Sequence, residues 1–114
     1  MTTLGELRDA NSRRQAEWPG AGSIDLCFRG LEMAGEAGEL ANKVKKLVRL
    51  QRGITGTSEQ VVALMQEVMD EMADVIICVD LIGMELGIDL DAAVCGKFDA
   101  TSEKHGLTTK LTTP

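Results

Sequence analysis

Residues 58–87, SEQVVALMQEVMDEMADVIICVDLIGMELG, decide the fold of this 114-residue chain. Apolar side chains recur along the stretch at alternating spacings of four and three, which is the repeat of an amphipathic α-helix and not of a β-strand. Ser58 stands where a helix cap is expected, and Gly87 stands where the helix should stop. The apolar stripe consists of Val61, Met65, Val68, Met72, Val75, Val79, Ile82 and Leu86. We therefore predict one long helix over the whole stretch.

A second long helix is predicted before the break formed by Gly53-Ile54-Thr55-Gly56. Its apolar stripe has the same helical repeat, opens after Ser23 and closes near Gly53. The stripe consists of Leu26, Met33, Ala37, Leu40, Val44 and Leu47. Because the break between the two helices is short, we expect them to fold back on each other as an antiparallel pair.

Shorter helices are predicted on both sides of this pair. The first covers residues 4–18 and ends at Trp18-Pro19-Gly20. The last opens at Asp89, runs to Lys104 and stops at Gly106. The sequence thus predicts an all-α, four-helix bundle with two long central antiparallel helices.

Length and composition predict one domain over residues 1–107, followed by a flexible, Thr-rich tail over residues 108–114. With one Trp, two Phe and no Tyr, the core must be aliphatic. Asp80 lies inside an apolar segment and is expected to be a paired core or interface acid. Two long helices in so short a chain would leave much apolar surface in water, so we expect a homodimer or homotetramer.

Two pairs of acids lie at equal distances on either side of the break: Glu36 and Glu39 before it, Glu71 and Asp74 after it. In an antiparallel pair of helices, residues equidistant from the break face each other, so Glu36 meets Asp74 and Glu39 meets Glu71. Four converging carboxylates repel one another unless a cation lies among them. Because hard cations prefer oxygen ligands, we predict that these four acids bind Mg²⁺ or Mn²⁺.

Acids beside an apolar stripe are more often a solvated flank of the helix than a metal site. A solvated flank favours opposite charges at i, i+3 and i+4, whereas residues 67–74 carry four acids at such spacings. This local loss of stability favours a functional explanation. Glu67 and Asp70 have the same spacing as Glu71 and Asp74, so either pair could form the second half of the site.

The basic residues are segregated along the chain. A net charge of -6 argues against duplex nucleic acid as a partner, yet five of the twelve basic residues lie within residues 43–52. Cations near the end of a helix also complement its dipole, so this run has two explanations. Lys43 and Lys46 lie on the same side of the helix as the acids, and we predict that they bind phosphate.

Several familiar sites are excluded by the sequence. It contains no GxxxxGK[ST] phosphate loop, no dinucleotide fingerprint and no Glu-x-x-His motif of di-iron bundles. Cys27, Cys78 and Cys95 are expected to be buried, reduced thiols. The absence of a signal peptide and of an apolar stretch of about 18 residues favours a cytoplasmic protein without membrane contact.

The two acid motifs have a counterpart in a known family. Glu36-Ala37-Gly38-Glu39 and Glu71-Met72-Ala73-Asp74 match the ExxE and ExxD motifs of the MazG-like nucleotide pyrophosphohydrolases, a superfamily that includes all-α dUTPases and dCTP pyrophosphatases. The chain resembles this superfamily over about residues 29–107. Further similar strings are EMAGEAGEL from Glu32, DEMADVI from Asp70, LGIDL from Leu86 and KF from Lys97.

The resemblance implies Mg²⁺-dependent hydrolysis of a (deoxy)nucleoside triphosphate between the α- and β-phosphates, which gives a monophosphate and pyrophosphate. It makes Glu36 and Glu39 the catalytic acids, with Glu36 orienting or deprotonating the attacking water. The candidates for substrate binding are Lys43, Lys46, Lys97 and Trp18. The alternative is a helical oligomerisation or interaction module of the same fold without catalysis.

Overall fold

The computed structural model describes residues 2–54 and 58–112. These residues form four α-helices and no strand: α1, Leu4–Gln15; α2, Leu26–Gln51; α3, Ser58–Leu86; and α4, Leu90–Lys104. A short 3₁₀ turn, Ala21–Ser23, precedes α2. The predicted all-α fold with two long helices is therefore confirmed. Within the described residues, no helix has the length and apolar character that a membrane span requires.

Aspartate caps fix the starts of α2 and α4. Asp25 accepts a hydrogen bond from the backbone N–H of Phe28 at 2.9 Å, so α2 opens here and not at Ser23, which lies in the 3₁₀ turn. Asp89 caps α4 as predicted and accepts from the backbone N–H of Ala92 at 3.1 Å. Both carboxylates satisfy N–H groups that the helix itself leaves unpaired.

Glycines end the two long helices. Gly53 follows α2 with φ 70, and Gly87 follows α3 with φ 65. Such positive φ values strain any residue with a side chain, so both helices stop where the sequence predicts. The start of α3 at Ser58 also agrees with the prediction, but the capping contact proposed for that side chain lies outside the part of the chain that is described.

Helix α1 is shorter than predicted and ends at Gln15 instead of Trp18. Trp18 precedes Pro19, and a residue before proline is disfavoured in the α conformation. The chain turns instead through Gly20, with φ 76, into the 3₁₀ turn. As a result, Trp18 lies on the connection between α1 and α2, with 59% of its surface exposed.

The fold is organised around α3. Helix α2 packs along it, α1 packs against it, and α4 lies mainly against α1. The buried apolar side chains among the described residues, Leu64, Val68 and Cys78, all belong to α3. The predicted stripe is only partly correct, because Met65 and Met72 are 44% and 49% exposed. Apolar residues cover more of the circumference of α3 than α1 and α2 enclose.

A buried polar network joins α1 to α3. Asp80 is 0% exposed and accepts hydrogen bonds from Arg8 Nε at 3.1 and 3.2 Å and from Asn11 Nδ2 at 2.9 Å. Arg8 also donates through Nη1 to the backbone oxygen of Ile88 at 2.7 Å. A buried carboxylate is tolerated when it is paired and hydrogen-bonded. Asp80 is therefore the paired core acid that the sequence predicts, and it anchors α1.

The described part of the tail contacts α4. Asp99 accepts hydrogen bonds from the backbone N–H groups of Leu111 at 2.7 Å and Thr112 at 3.3 Å, and from the Thr112 hydroxyl. The hydroxyl and then the Leu111 N–H hold the pKa of Asp99 below its usual range. Flexibility of the tail stays a prediction, but the sequence did not predict these contacts.

The cysteines differ in burial. All three are free thiols: Cys78 is buried, Cys95 is half-buried and Cys27 is exposed. The expectation of three buried thiols is therefore wrong for Cys27. This residue lies in the first turn of α2, where exposed Leu26 and Phe28 flank it, so no core forms at that point.

Candidate metal centre

Three acids converge between the two long helices. Glu36 of α2 and Glu71 and Asp74 of α3 each offer a carboxylate oxygen, and these atoms all lie within 4.8 Å of one another. Glu71 and Asp74 are at i and i+3, so they share one side of α3, and the antiparallel packing brings Glu36 opposite them. The structure thus brings together Glu36 and Asp74, the pair that their equal distance from the break predicts.

Two further contacts follow the same register. Lys43 Nζ lies 3.2 Å from Glu67 Oε2 across the two helices. One turn to the other side of the acids, the Cys78 thiol lies close to Glu32, which contributes to its raised pKa. The two members of each pair are equidistant from the break, as the acids are. The facing positions therefore run in regular order along the helix pair.

The acids perturb one another. The pKa of Glu36 is raised to about 6, first by burial, then by a hydrogen bond with Glu71 and by the charges of Glu39 and Asp74. Glu36 Oε2 and Glu71 Oε2 are buried and accept no hydrogen bond from the described residues. Two ionised carboxylates are both acceptors, so a proton, a cation or a water molecule between them would satisfy these atoms.

These residues fit a hard divalent cation. The ligand atoms are all carboxylate oxygens, which Mg²⁺ and Mn²⁺ prefer to nitrogen or sulfur. Mg²⁺ keeps several waters and is usually held by about one or two protein carboxylates together with substrate phosphates. Three convergent acids, two of them with a buried oxygen that has no donor among the described residues, are compatible with such a site.

Glu39 lies at the edge of the site. Its side chain is exposed and is not among the three whose oxygens converge. Its charge nevertheless contributes to the raised pKa of Glu36, so the two carboxylates are close. The fourth predicted ligand is therefore near the group but outside it.

Of the two second motifs that the sequence left open, the structure brings Glu71 and Asp74 to Glu36. Glu67 is instead engaged by Lys43, and the exposed Asp70 accepts a hydrogen bond from Gln66 Nε2 at 2.9 Å. Glu71 and Asp74 thus belong to the convergent group, whereas Glu67 and Asp70, one helical turn earlier on α3, have other partners.

Comparisons with models of protein families, with curated proteins and with solved structures find no match to this chain.

One to two helical turns from the acids lie residues that the sequence did not single out for the site. Arg29 is only 5% exposed, and its guanidinium lies 3.5 Å from Glu32 Oε1 and 3.6 Å from Glu85 Oε1. Burial, followed by the charges of Glu32 and Glu36, raises the pKa of the Cys78 thiol to about 11. A signal for Glu32 and Cys78 was present, because they are equidistant from the break and one turn from the acids.

Trp18 belongs to a cavity on one side of the acids. It lines a space of about 240 Å³ together with Phe28, Arg29 and Glu32. Trp18 is 59% exposed and Phe28 is 44% exposed, so both rings are accessible. Arg29 precedes Glu36 by seven residues on α2, which places this cavity about 10 Å from the acids along the helix axis.

The three predicted phosphate-binding lysines lie in different places. Lys43 is beside the acids and pairs with Glu67. Lys46 lines another cavity nearer the end of α2. Lys97 lies on α4, in a cavity of about 580 Å³ that includes Phe98. Because α4 lies mainly against α1, a single chain does not bring Lys97 to the acids.

Proposed function

We propose that this chain is a MazG-like pyrophosphohydrolase, which hydrolyses (deoxy)nucleoside triphosphates between the α- and β-phosphates to a monophosphate and pyrophosphate. The observation that carries the proposal is the convergence of Glu36, Glu71 and Asp74, with two buried oxygens that lack donors among the described residues. The motif resemblance supplies the substrate class. The three free thiols suit a reducing compartment, so we place the activity in the cytoplasm.

Each acid has a role that follows from its surroundings. When bound, Mg²⁺, or Mn²⁺ in its place, would neutralise phosphate oxygens and lower the pKa of a bound water. Glu71 and Asp74 would hold the cation. Glu36, with a pKa of about 6, is suited to accept a proton from the attacking water near neutral pH. The exposed Glu39 orients that water from the edge of the site.

The residues around the acids indicate how a bound substrate would be oriented. Aromatic rings of Trp18 and Phe28 lie on the side toward the start of α2, and Lys43 lies on the side toward its end. We infer that the base stacks near Trp18 and that the triphosphate extends toward Lys43. Lys43 would exchange its contact with Glu67 for one with phosphate.

Water, not a side chain, should attack phosphorus. The thiol nearest the acids, Cys78, has a pKa raised to about 11 and stays protonated at neutral pH. Among the described residues, no His or Cys belongs to the convergent group. Attack at the α-phosphorus releases pyrophosphate intact, and the oxygen from water enters the monophosphate.

The test is a panel of canonical and damaged nucleoside triphosphates with Mg²⁺ or Mn²⁺ in ¹⁸O-labelled water. We expect monophosphate carrying the label, together with unlabelled pyrophosphate. Orthophosphate and a nucleoside diphosphate as first products would refute the proposal.

Assembly into a homodimer or homotetramer is part of the proposal. The chain exposes 8166 Å², whereas a compact protein of this mass exposes about 6,100 Å². Its radius of gyration is 17.6 Å, against about 13 Å for a compact chain of this length. The surplus surface includes an outer apolar face of α3. This face consists of Val62, Met65, Met69, Met72 and Ile76.

The same outer face favours a second candidate function, a non-catalytic oligomerisation module. An oligomer in light scattering, combined with no turnover of any nucleotide, would support the module over the enzyme. A compact monomer at micromolar concentration would contradict the proposed assembly and this second candidate.

A further inference from the structure

A basic cavity lies between the last turns of α2 and the first turns of α3. It measures about 330 Å³, which is within the range of about 300–1,000 Å³ found for small-molecule sites. Lys46, Arg49 and Leu50 line it from α2, and Leu64 and Glu67 line it from α3. The proposed hydrolysis assigns no role to this cavity.

The charges that line the cavity are unbalanced. Lys46 and Arg49 are at i and i+3, so they project from the same side of α2. Neither forms an ion pair with the described side chains. The acid on the wall, Glu67, is already engaged by Lys43 at 3.2 Å. Among the described residues, these two positive charges therefore have no acidic partner.

The apolar floor of the cavity strengthens the attraction between these two charges and an anion. Leu64 is only 7% exposed and Leu50 is half-buried, so an apolar surface backs the two cations. Electrostatic attraction is stronger beside low-dielectric protein than in open water. The Arg49 guanidinium can in addition hold two phosphate oxygens at once.

The cavity is separate from the three acids. Lys46 follows Glu36 by ten residues, which is about 15 Å along the axis of α2. The ion pair of Lys43 and Glu67 lies between the two sites. A ligand in the cavity therefore needs no contact with Glu36, Glu71 or Asp74.

We propose that this cavity is a second anion site that binds inorganic pyrophosphate through Lys46 and Arg49. Two adjacent cations match two linked phosphoryl groups, and the net charge of -6 disfavours longer polyanions such as nucleic acid. This inference goes beyond the proposed hydrolysis and does not depend on it.

The experiment is titration of the full chain with inorganic pyrophosphate in chelator, without divalent cations and at low salt. Under these conditions the three acids repel anions, so binding there does not compete. We expect calorimetric binding, with amide shifts at Leu50 and Leu64 and not at Glu71. The double variant Lys46→Gln/Arg49→Gln should weaken binding by about tenfold, as expected for two partly exposed charge contacts.

The matched control is Lys45→Gln/Arg52→Gln, which removes the same charge from the same stretch but leaves the cavity lining intact. It should weaken binding by no more than about twofold, because it lowers only the overall positive potential of this stretch. Equal weakening in both double variants would mean that the basic residues only complement the helix dipole. That result, no binding to the unaltered chain, or shifts centred on residues 71–74 would overturn the second site.

Discussion

Asp80 and Glu36 are both withdrawn from water, yet their surroundings differ. Asp80 is 0% exposed, and Arg8 and Asn11 hold it with hydrogen bonds of 2.9–3.2 Å. Glu36 is half-buried, faces another acid, Glu71, and has a pKa raised to about 6. The first acid has donors on both of its oxygens. The second has a buried oxygen with no donor among the described residues.

This difference separates an acid that stabilises the fold from the acids for which we propose a metal ligand. Removal of Asp80 leaves Arg8 with an uncompensated, partly buried charge, so it should harm folding. Removal of charge at Glu71 relieves repulsion, so it should harm only what the site binds. Local instability that a ligand relieves is typical of functional sites.

The largest expected effect is that of Asp80→Ala. Breaking a buried ion pair by removing one partner typically lowers the free energy of unfolding by about 3–5 kcal/mol. Urea denaturation in chelator measures this loss. Glu71→Gln is the matched acid variant and should unfold no earlier than the unaltered chain. If the two variants lose equal stability, the comparison between Asp80 and Glu36 fails.

Glu71→Gln and Asp74→Asn should each lower the rate of nucleoside triphosphate hydrolysis at least about a hundredfold, which is about 3 kcal/mol of transition-state stabilisation. Loss of a metal ligand removes charge stabilisation while the helix stays intact. Pyrophosphate release with Mg²⁺ gives the rate, and circular dichroism checks the helix. Asp70→Asn, one turn away and bonded to Gln66, should change the rate by less than about twofold. A larger loss of rate in Asp70→Asn than in the other two variants would instead assign the site to Glu67 and Asp70, one helical turn earlier on α3.

Gly83→Ala tests how tightly the Asp80 network is packed. A Cβ at this position would clash with Arg8 Nη2, so the guanidinium must move and its hydrogen bonds weaken. We expect a loss of about 1–3 kcal/mol in the free energy of unfolding. Gly35→Ala is the control, since no described atom lies within 4 Å of its added Cβ. That change should stabilise α2 by up to about 1 kcal/mol, and equal effects of the two would show that the network tolerates displacement.

The smallest effect is a pH dependence set by Glu36. Its pKa in the folded chain is about 6 against 4.5 for the free group, so the folded state binds this proton more tightly. The stability that it contributes is full below pH 4.5 and is lost as the pH rises through about 6. Melting in chelator should show this loss for the unaltered chain and not for Glu36→Gln.

Mg²⁺ competes with that proton, so the rise in melting temperature that Mg²⁺ produces should be larger at pH 7 than at pH 5. Identical melting temperatures in chelator and in millimolar Mg²⁺ at pH 7 would contradict Mg²⁺ binding by these acids.

Much of the fold followed from local patterns. The helical repeat and the glycines at positions 53 and 87 located the two long helices, and equal distance from the break predicted that Glu36 faces Asp74. The cap of α2 was misplaced at Ser23 because Asp25 competes for the same role two residues later. Which of two neighbouring polar residues caps a helix depends on the backbone conformation, and this cannot be read from the sequence.

Long-range partners could not be predicted. Asp80 was recognised as a paired acid, but its partner, Arg8, is 72 residues away on a helix whose docking depends on the whole core. The division of the α3 stripe was also missed, because Met65 and Val68 are equally apolar in sequence and only the position of α2 distinguishes them. Lys97 was grouped with the site by resemblance, whereas the placement of α4 against α1 is a property of the tertiary structure.

The regular order of facing residues also constrains how this chain can evolve. A residue inserted into or deleted from α2 between Glu36 and Lys43 would rotate everything beyond it by about 100° around the helix. Lys43 would then turn away from Glu67 even though no contacting side chain had been replaced. Lineages of this protein should therefore accumulate changes of length outside the two long helices, and substitutions within them.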